Sequence, residues 1–291
     1  MSLPIIRRLI IPISYKAIDL QSEAAKSRYW NAYERMRTRW YGAAEIQVKN
    51  RFATEAEHVS GALRRSSPGT DPRRVVDRAI NEQKEEWGKL LQAIYVSVGE
   101  TFAPSIGDML NPGPKSYRFG KNYETSRRPD RSKGAFVDAW MTFILNYIRT
   151  QSASKVTQIT DTTRDILRMQ IAAGVENGET MQQISERIRA SYKDMTPYRA
   201  ETIARTEVIN ASNAASVAGA KASGAAVQKE WLASRDDRVR ADHEDADGQT
   251  VPLDQPFTVG GYQLMLPGDS SLGAPAKEVV NCRCAVTYVT Q

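Results

Sequence analysis

The C-terminal stretch of the chain begins with Trp231-Leu232-Ala233-Ser234-Arg235-Asp236 and closes on Asn281-Cys282-Arg283-Cys284. It holds both cysteines of the protein and one of its two histidines, among turn-forming pairs such as Asp-Gly and Pro-Gly. Residues 227–233 alternate in the manner of a β-strand, and residues 285–289 have the composition of a closing strand. The pattern predicts a small α+β module of short strands and turns over residues 224–291.

The residues before this module are predicted to be mostly helical. From about residue 16 to residue 65, aromatic and apolar residues recur at three- and four-residue steps, which predicts one long helix, or two broken near Gly42. A later helix is expected to fade near Pro104. Thr180-Met181-Gln182-Gln183 has the form of a capping box, and Pro197 is predicted to open the last helix. The fold class is therefore α+β, with mostly helical N-terminal and middle parts.

Composition and charge exclude little. The 291 residues have the apolar and charged fractions of a soluble globular protein, and no apolar run approaches the length of a membrane helix. The first residues are interpreted as a cytosolic N-terminal arm rather than a signal peptide. Residues 1–150 hold 25 Lys and Arg against 16 Asp and Glu, a net charge of +9, whereas the net charge of the whole chain is +6. A basic front half suits phosphate or an acidic protein surface, although solvated helix faces are the alternative.

Residues 111–134 are predicted to form a loop in which basic and aromatic residues lie among prolines and glycines. Such a mixture can bind single-stranded nucleic acid through charge and stacking, and a long loop without structure of its own is usually functional or disordered. The hypothetical nucleic-acid contacts are Arg118, Lys121, Arg127, Arg128 and Arg131.

The Cys-x-Cys pair raises the question of a metal. A disulfide across one residue would be strained, so the zinc candidates are His243, Cys282 and Cys284, with Asp236, Asp242 or Asp269 as a fourth ligand. The spacing argues against this interpretation, because structural zinc sites usually separate their cysteines by two to four residues. The alternative is a small buried cysteine pair that packs a turn, and no cofactor is predicted.

Two further interpretations of the same residues remain. His243 with its acidic neighbours, or a cysteine beside it, could form a catalytic set. The preferred interpretation is structural: Arg283 and Arg205 are planar forks that could hold Asp236 or Glu207, while Asn281 and Asp269 satisfy turn backbones. No catalytic residue is predicted.

Several motifs in order resemble the phage Mu protein F-like family, the minor head or head morphogenesis proteins of tailed phages. The resemblance covers roughly residues 135–291. Many members of that family carry Cys-x-x-Cys where this chain has Arg240 and His243, which weakens the zinc interpretation further. The motif positions are Arg205, Glu207, Trp231, Asp236, Arg238, Arg240, His243, Gly248, Asp269, Asn281, Cys282, Arg283 and Cys284.

The resemblance implies a non-enzymatic, low-copy protein of the bacteriophage virion. It would join the head during procapsid assembly through the portal, with the major capsid or scaffold protein as a further partner. It would lie inside the head near the portal, after assembly in the host cytoplasm, and contact DNA during packaging or ejection. Residues 1–134 are assigned to portal or capsid docking and residues 135–291 to the family's domain. The alternatives are a nucleic-acid-binding or metal-dependent nuclease-like module and a fused toxin or ADP-ribosyltransferase domain, for which the chain is expected to leave no room after residue 287.

Overall fold

A computed structural model describes residues 22–67, 69–111 and 134–290. Five helices account for most of them: α1 (Glu23–Arg64), α2 (Pro72–Glu82), α3 (Lys84–Leu110), α4 (Ala135–Glu176) and α5 (Met181–Ser223). The predicted fold class is confirmed, because short antiparallel strands appear after α5. The predicted basic loop, with Arg118, Lys121, Arg127, Arg128 and Arg131, lies outside the described residues.

The C-terminal part alternates short strands with two short helices. In chain order these are β1 (Val227–Leu232), α6 (Ala241–Asp245), β2 (Thr250–Pro252), β3 (Phe257–Val259), β4 (Tyr262–Leu264), α7 (Ala276–Val279) and β5 (Ala285–Thr290). Strand β1 lies at the centre of an antiparallel sheet with the order β2-β1-β5, and β3 pairs with β4 as a separate hairpin. The register sets Trp231 opposite Val286.

The described residues form two compact units, each discontinuous in sequence. The first comprises the described parts of Met1–Tyr41, Ile94–Tyr147 and Arg205–Gln291, and the second comprises those of Gly42–Ala93 and Ile148–Ala204. The assignment of residues 1–134 to docking is a statement about partners and stays a prediction.

The first unit is built around the C-terminal half of α5. Residues 211–220 of this helix are small and fully buried. Gly219 lies directly against the backbone of Ala103 in α3: a Cβ placed on Gly219 would meet the Ala103 carbonyl and would lie 2.9 Å from its Cα. Small side chains therefore bring α3 and α5 close together.

The second unit packs around a buried carboxylate. Glu55 of α1 accepts hydrogen bonds from Trp87 Nε1 at 2.6 Å and from the Tyr192 hydroxyl at 2.9 Å. The rings of Phe52 and Trp87 meet edge to face with their centroids 5.0 Å apart. Burial raises the pKa of Glu55, although the two donors oppose the rise.

Two predicted helix boundaries are wrong, and both were placed at prolines. Pro104 lies inside α3, which continues to Leu110, and Pro197 lies inside α5. A proline costs a helix one hydrogen bond and a steric clash. Around Pro104 the side chains of Phe102 and Ile106 are fully buried, so packing on both sides of the proline outweighs that cost. The predicted capping box is confirmed, since the Gln183 amide donates to Thr180 Oγ1 and Gln183 Oε1 accepts from the Thr180 amide.

The other helical predictions fared better. Helix α1 is one long helix rather than two, and Gly42 lies within it with no atom near its missing Cβ. No helix in the described part of the chain combines the length and the apolar character that a membrane crossing requires.

Candidate functional site

The two cysteines lie in a tight turn between α7 and β5. Asn281 has a φ of 56°, in the left-handed region that asparagine tolerates better than most residues. Its amide donates to Thr206 Oγ1 at 3.1 Å, and the Cys282 amide donates to the Val279 carbonyl at 3.2 Å. The backbone of this turn is therefore fixed from two sides, and both thiols point into the protein.

His243 meets both cysteines. It lies on the short helix α6 with only 1% of its surface exposed. Its Nδ1 atom is 3.5 Å from Cys282 Sγ and 3.4 Å from Cys284 Sγ. Trp231 closes one side, with its ring edge to face against the imidazole at a centroid distance of 5.4 Å. The interior position of the ring does not suit a general base for an external substrate.

Glu278 completes the group, and the sequence interpretation missed it. Its carboxylate is buried, and Oε2 lies 3.1 Å from His243 Nε2. The residue stands in Lys277-Glu278, a charged pair of the kind that is usually solvated, so no sequence signal marks it. Nearby, Arg240 donates to the Val280 carbonyl at 2.6 Å, which fixes the end of α7 to the start of α6.

The three side chains shift one another's pKa values. The hydrogen bond from Cys284, together with His243, lowers the pKa of Cys282 well below its ordinary value, although burial opposes this. Burial and the neighbouring Cys282 raise the pKa of Cys284. Burial by itself lowers the pKa of His243, but its contacts with Cys282 outweigh that effect and raise it. Cys282 is therefore the thiol that loses its proton first.

Asp236, one of the three aspartates considered as a fourth zinc ligand, is bound by another residue. Arg283 grips its carboxylate with two hydrogen bonds of 2.7 Å, from Nε and Nη2. The Arg238 amide donates to the same carboxylate at 3.1 Å. This is one of the planar forks that the sequence suggested, and it occupies both carboxylate oxygens. The structure thus brings together His243, Cys282 and Cys284 and sets Asp236 apart.

The turn is also clamped by α1 from the other side. Arg37 is fully buried, and its guanidinium donates to the carbonyls of Arg283 and Cys284, both at 3.1 Å. It also donates to Asn213 Oδ1 at 2.8 Å and to Ser212 Oγ at 2.8 Å on α5. Arg37 was not singled out in the sequence, where it is one of many basic residues on a long helix.

A second buried polar cluster surrounds the Pro267-Gly268-Asp269 turn. The Tyr147 hydroxyl lies 2.7 Å from Asp269 Oδ1 and 2.8 Å from Asn210 Oδ1, and the Tyr95 hydroxyl lies 2.8 Å from the same Asn210 oxygen. The Tyr95 hydroxyl also lies 2.9 Å from Glu207 Oε2, and the side-chain Nδ2 of Asn210 donates to the Gly268 carbonyl. Glu207 and Asp269 therefore tie this turn to α3, α4 and α5.

The remaining motif residues have ordinary structural places. The Arg205 guanidinium lies 5.9 Å from the centre of the Tyr41 ring. Gly248 has a φ of 79°, and its amide donates to the Trp231 carbonyl. The side chain of Arg238 is exposed. None of these contacts suggests a reaction.

Fold and site together define a class: a helical scaffold that carries a small α+β module, closed by an Asn-Cys-Arg-Cys turn whose polar residues bind one another. Residues 165–287 match the family described as Phage Mu protein F like protein. The resemblance recognised in the motifs is thereby confirmed over these residues.

Curated relatives match part of the chain. Minor head protein GP7 of Bacillus phage SPP1 is 33% identical over 126 residues, which are 42% of this chain and 40% of that protein. The NAD(+)--arginine ADP-ribosyltransferase EFV of Enterococcus faecalis is 34% identical over 119 residues, which are 40% of this chain and 23% of that protein.

A third relative is the uncharacterized protein YqbB of Bacillus subtilis, 30% identical over 152 residues, which are 50% of this chain and 48% of that protein. The chain therefore matches less than half the length of each of these relatives. No solved structure matches it significantly.

Proposed function

We propose that this chain is a structural minor head protein of a tailed bacteriophage that acts in head morphogenesis. The observation that carries the proposal is the match of residues 165–287 to the Mu F-like family. The use of the motif residues supports it: Asp236 and Arg283 bind each other, while Glu207 and Asp269 bind buried tyrosines. Motif side chains that bind one another inside the protein suit a structural component of the virion better than an enzyme.

Within that role we propose low-copy incorporation through the portal during procapsid assembly, at the inner side of the head. The exposed face of α1 is the proposed docking surface. Arg35 and Arg39 are exposed and, four residues apart, lie on one face of the helix, whereas Tyr33 and Arg37 on the other face are buried. The packed face holds α1 in place, and the basic face remains for an acidic partner.

This arrangement decides how docking is tested. Deleting residues 1–134 would remove Arg37 and Tyr33 from the interior of the first unit, so a loss of incorporation would not distinguish docking from misfolding. Charge reversal at exposed positions avoids this. The double variant Arg35→Glu, Arg39→Glu changes the proposed surface, and Arg73→Glu, Arg74→Glu on α2 makes the same change in charge at exposed positions elsewhere.

The experiment co-expresses the chain with the portal, scaffold and major capsid proteins of the same phage, and quantifies it in purified particles by mass spectrometry. A fixed, low ratio of this chain to portal subunits is expected for the wild type and for the α2 variant, with a clear loss for the α1 variant. Absence of the wild-type chain from particles would overturn the structural role. An equal loss in both variants would overturn the assignment of the docking face.

Contact with DNA is proposed for the basic residues of the segment 111–134. Neutralising Arg127, Arg128 and Arg131 together should weaken DNA binding and reduce its dependence on salt, because fewer counterions are released. Unchanged binding would assign the contact to another surface.

The similarity to the ADP-ribosyltransferase EFV favours a second candidate, an arginine-directed ADP-ribosyltransferase. Incubating the purified chain with labelled NAD and an arginine-rich acceptor tests it, and the structural role predicts no transfer of label. A parallel incubation of plasmid DNA with Mg²⁺ tests the nuclease-like alternative. Turnover in either assay would replace the structural proposal.

A further inference from the structure

We propose that His243, Cys282 and Cys284 bind one zinc ion, through the imidazole Nδ1 and the two sulfurs. Among the residues that the structure describes, these three form a group whose ligand atoms all lie within 4.8 Å of one another.

The distances fit a tetrahedral ion. Zinc binds sulfur at about 2.3 Å and imidazole nitrogen at about 2.0–2.1 Å. At a tetrahedral angle these bond lengths place nitrogen and sulfur about 3.5 Å apart. The observed separations from His243 Nδ1 are 3.5 Å to Cys282 and 3.4 Å to Cys284. An ion could therefore enter with little movement of the three side chains.

The imidazole is oriented as a ligand. Glu278 Oε2 lies 3.1 Å from His243 Nε2, and both side chains are buried. A carboxylate accepts from an N–H, so the Nε2 atom carries the proton and the lone pair of Nδ1 points toward the two sulfurs. A zinc-bound imidazole usually donates its other N–H to a carboxylate, which fixes the tautomer and raises the basicity of the ligand nitrogen.

The turn that carries the sulfurs is held independently of any ion. The Cys284 carbonyl accepts from Arg37 at 3.1 Å and from Asn213 at 3.2 Å. The left-handed conformation of Asn281 is held by its hydrogen bond to Thr206. Two thiolates and one divalent cation sum to zero charge, which suits an interior in which both cysteines are 1% exposed.

Three protein ligands leave one coordination position, which water can fill in zinc sites of this kind. Asp236 is not available for it, because Arg283 holds both of its oxygens. The one-residue spacing of Cys282 and Cys284 is no obstacle, since the turn aims both sulfurs at the same imidazole nitrogen. The bound ion links α6 to the turn that precedes β5.

The test uses the full chain, purified under reducing conditions, stripped with a chelator, reloaded with zinc and desalted. Mass spectrometry of the metal should find close to one zinc per chain. The variant His58→Gln removes the other histidine, which pairs with Glu82, and should retain the ion. Cys282→Ser and His243→Asn should lose it. Cobalt in place of zinc should give a thiolate charge-transfer absorption in the wild type that Cys282→Ser lacks.

Glu278→Gln keeps all three ligands and remains informative if a ligand variant fails to fold. It should retain the stoichiometry but bind zinc about 10–100-fold more weakly in competition with a coloured chelator. A stripped wild type that takes up far less than one ion per chain would overturn the proposal. Equal zinc in the wild type and in both ligand variants would also overturn it, because the ion would then be bound elsewhere.

Discussion

Arg37→Met is the substitution whose effect the structure defines most fully. The guanidinium is fully buried and donates four hydrogen bonds, two of them to the carbonyls of the cysteine turn and two to α5. Hydrogen bonds to a charged group contribute about 1.5–3 kcal/mol each, but such contributions are not additive and the neighbours relax. Removing the guanidinium leaves these buried acceptors without their donor, at about 1–3 kcal/mol for each, and we expect the free energy of unfolding to fall by about 3–5 kcal/mol in total.

Urea denaturation followed by tryptophan fluorescence measures the loss, and hydrogen exchange of peptides from residues 208–218 locates it in the first unit. Arg35→Met is the matched control, because Arg35 is exposed on the same helix and should change stability by no more than about 0.5 kcal/mol. If Arg37→Met loses less than about 1 kcal/mol, or no more than the control, the network does not stabilise the fold as argued.

Three further predictions concern stability. Gly219→Ala should destabilise the fold by about 1–3 kcal/mol, because the new methyl group meets the backbone of Ala103. Gly42→Ala is the control and should stabilise the fold by about 0.5–1 kcal/mol. Similar urea midpoints for the two variants would contradict the close approach of α3 and α5. Glu55→Gln offers one acceptor oxygen to two buried donors, so the free energy of unfolding should fall by about 1–3 kcal/mol. Glu57→Gln, at an exposed position, is the control. An unchanged thermal midpoint for Glu55→Gln would argue against the hydrogen bonds. Burial, aided by the charge of Lys221, lowers the pKa of Lys229 to about 8 from an unfolded value of 10.5. Between these two pH values the unfolded chain binds more protons than the folded chain, so the free energy of unfolding should rise with pH across that window. Lys229→Met should flatten this rise, and an identical pH profile for the variant would refute the assignment.

The strands and the capping box were predictable because their signals are local. Strand β1 follows from alternation, and the box follows from the three-residue spacing of Thr180 and Gln183. The two prolines misled for the same reason: the rule that a proline ends a helix is local, while the burial of Phe102 and Ile106 around Pro104 is set by the rest of the fold.

The three clustered side chains could be singled out by residue type, but the residues that hold them in place could not. His243, Cys282 and Cys284 stand out by residue type, since few side chains in this sequence can bind a soft metal. Glu278 and Arg37 do not stand out, because charged residues on helices are mostly solvated. The partners of Arg37 lie between 175 and 247 residues away in sequence, and no spacing rule reaches that far.

These separations also bear on how the chain acquires its structure during synthesis. The Tyr29 hydroxyl donates to the Val286 carbonyl across 257 residues. At about 5–20 residues per second, roughly 12–50 s pass between the translation of these two segments. Throughout that interval the inward face of α1 is without the strand β5 that contacts it in the folded protein. Contacts between distant segments make folding slow, so the first unit is expected to be completed late, and the newly made helix is the segment most exposed to aggregation or to capture by chaperones.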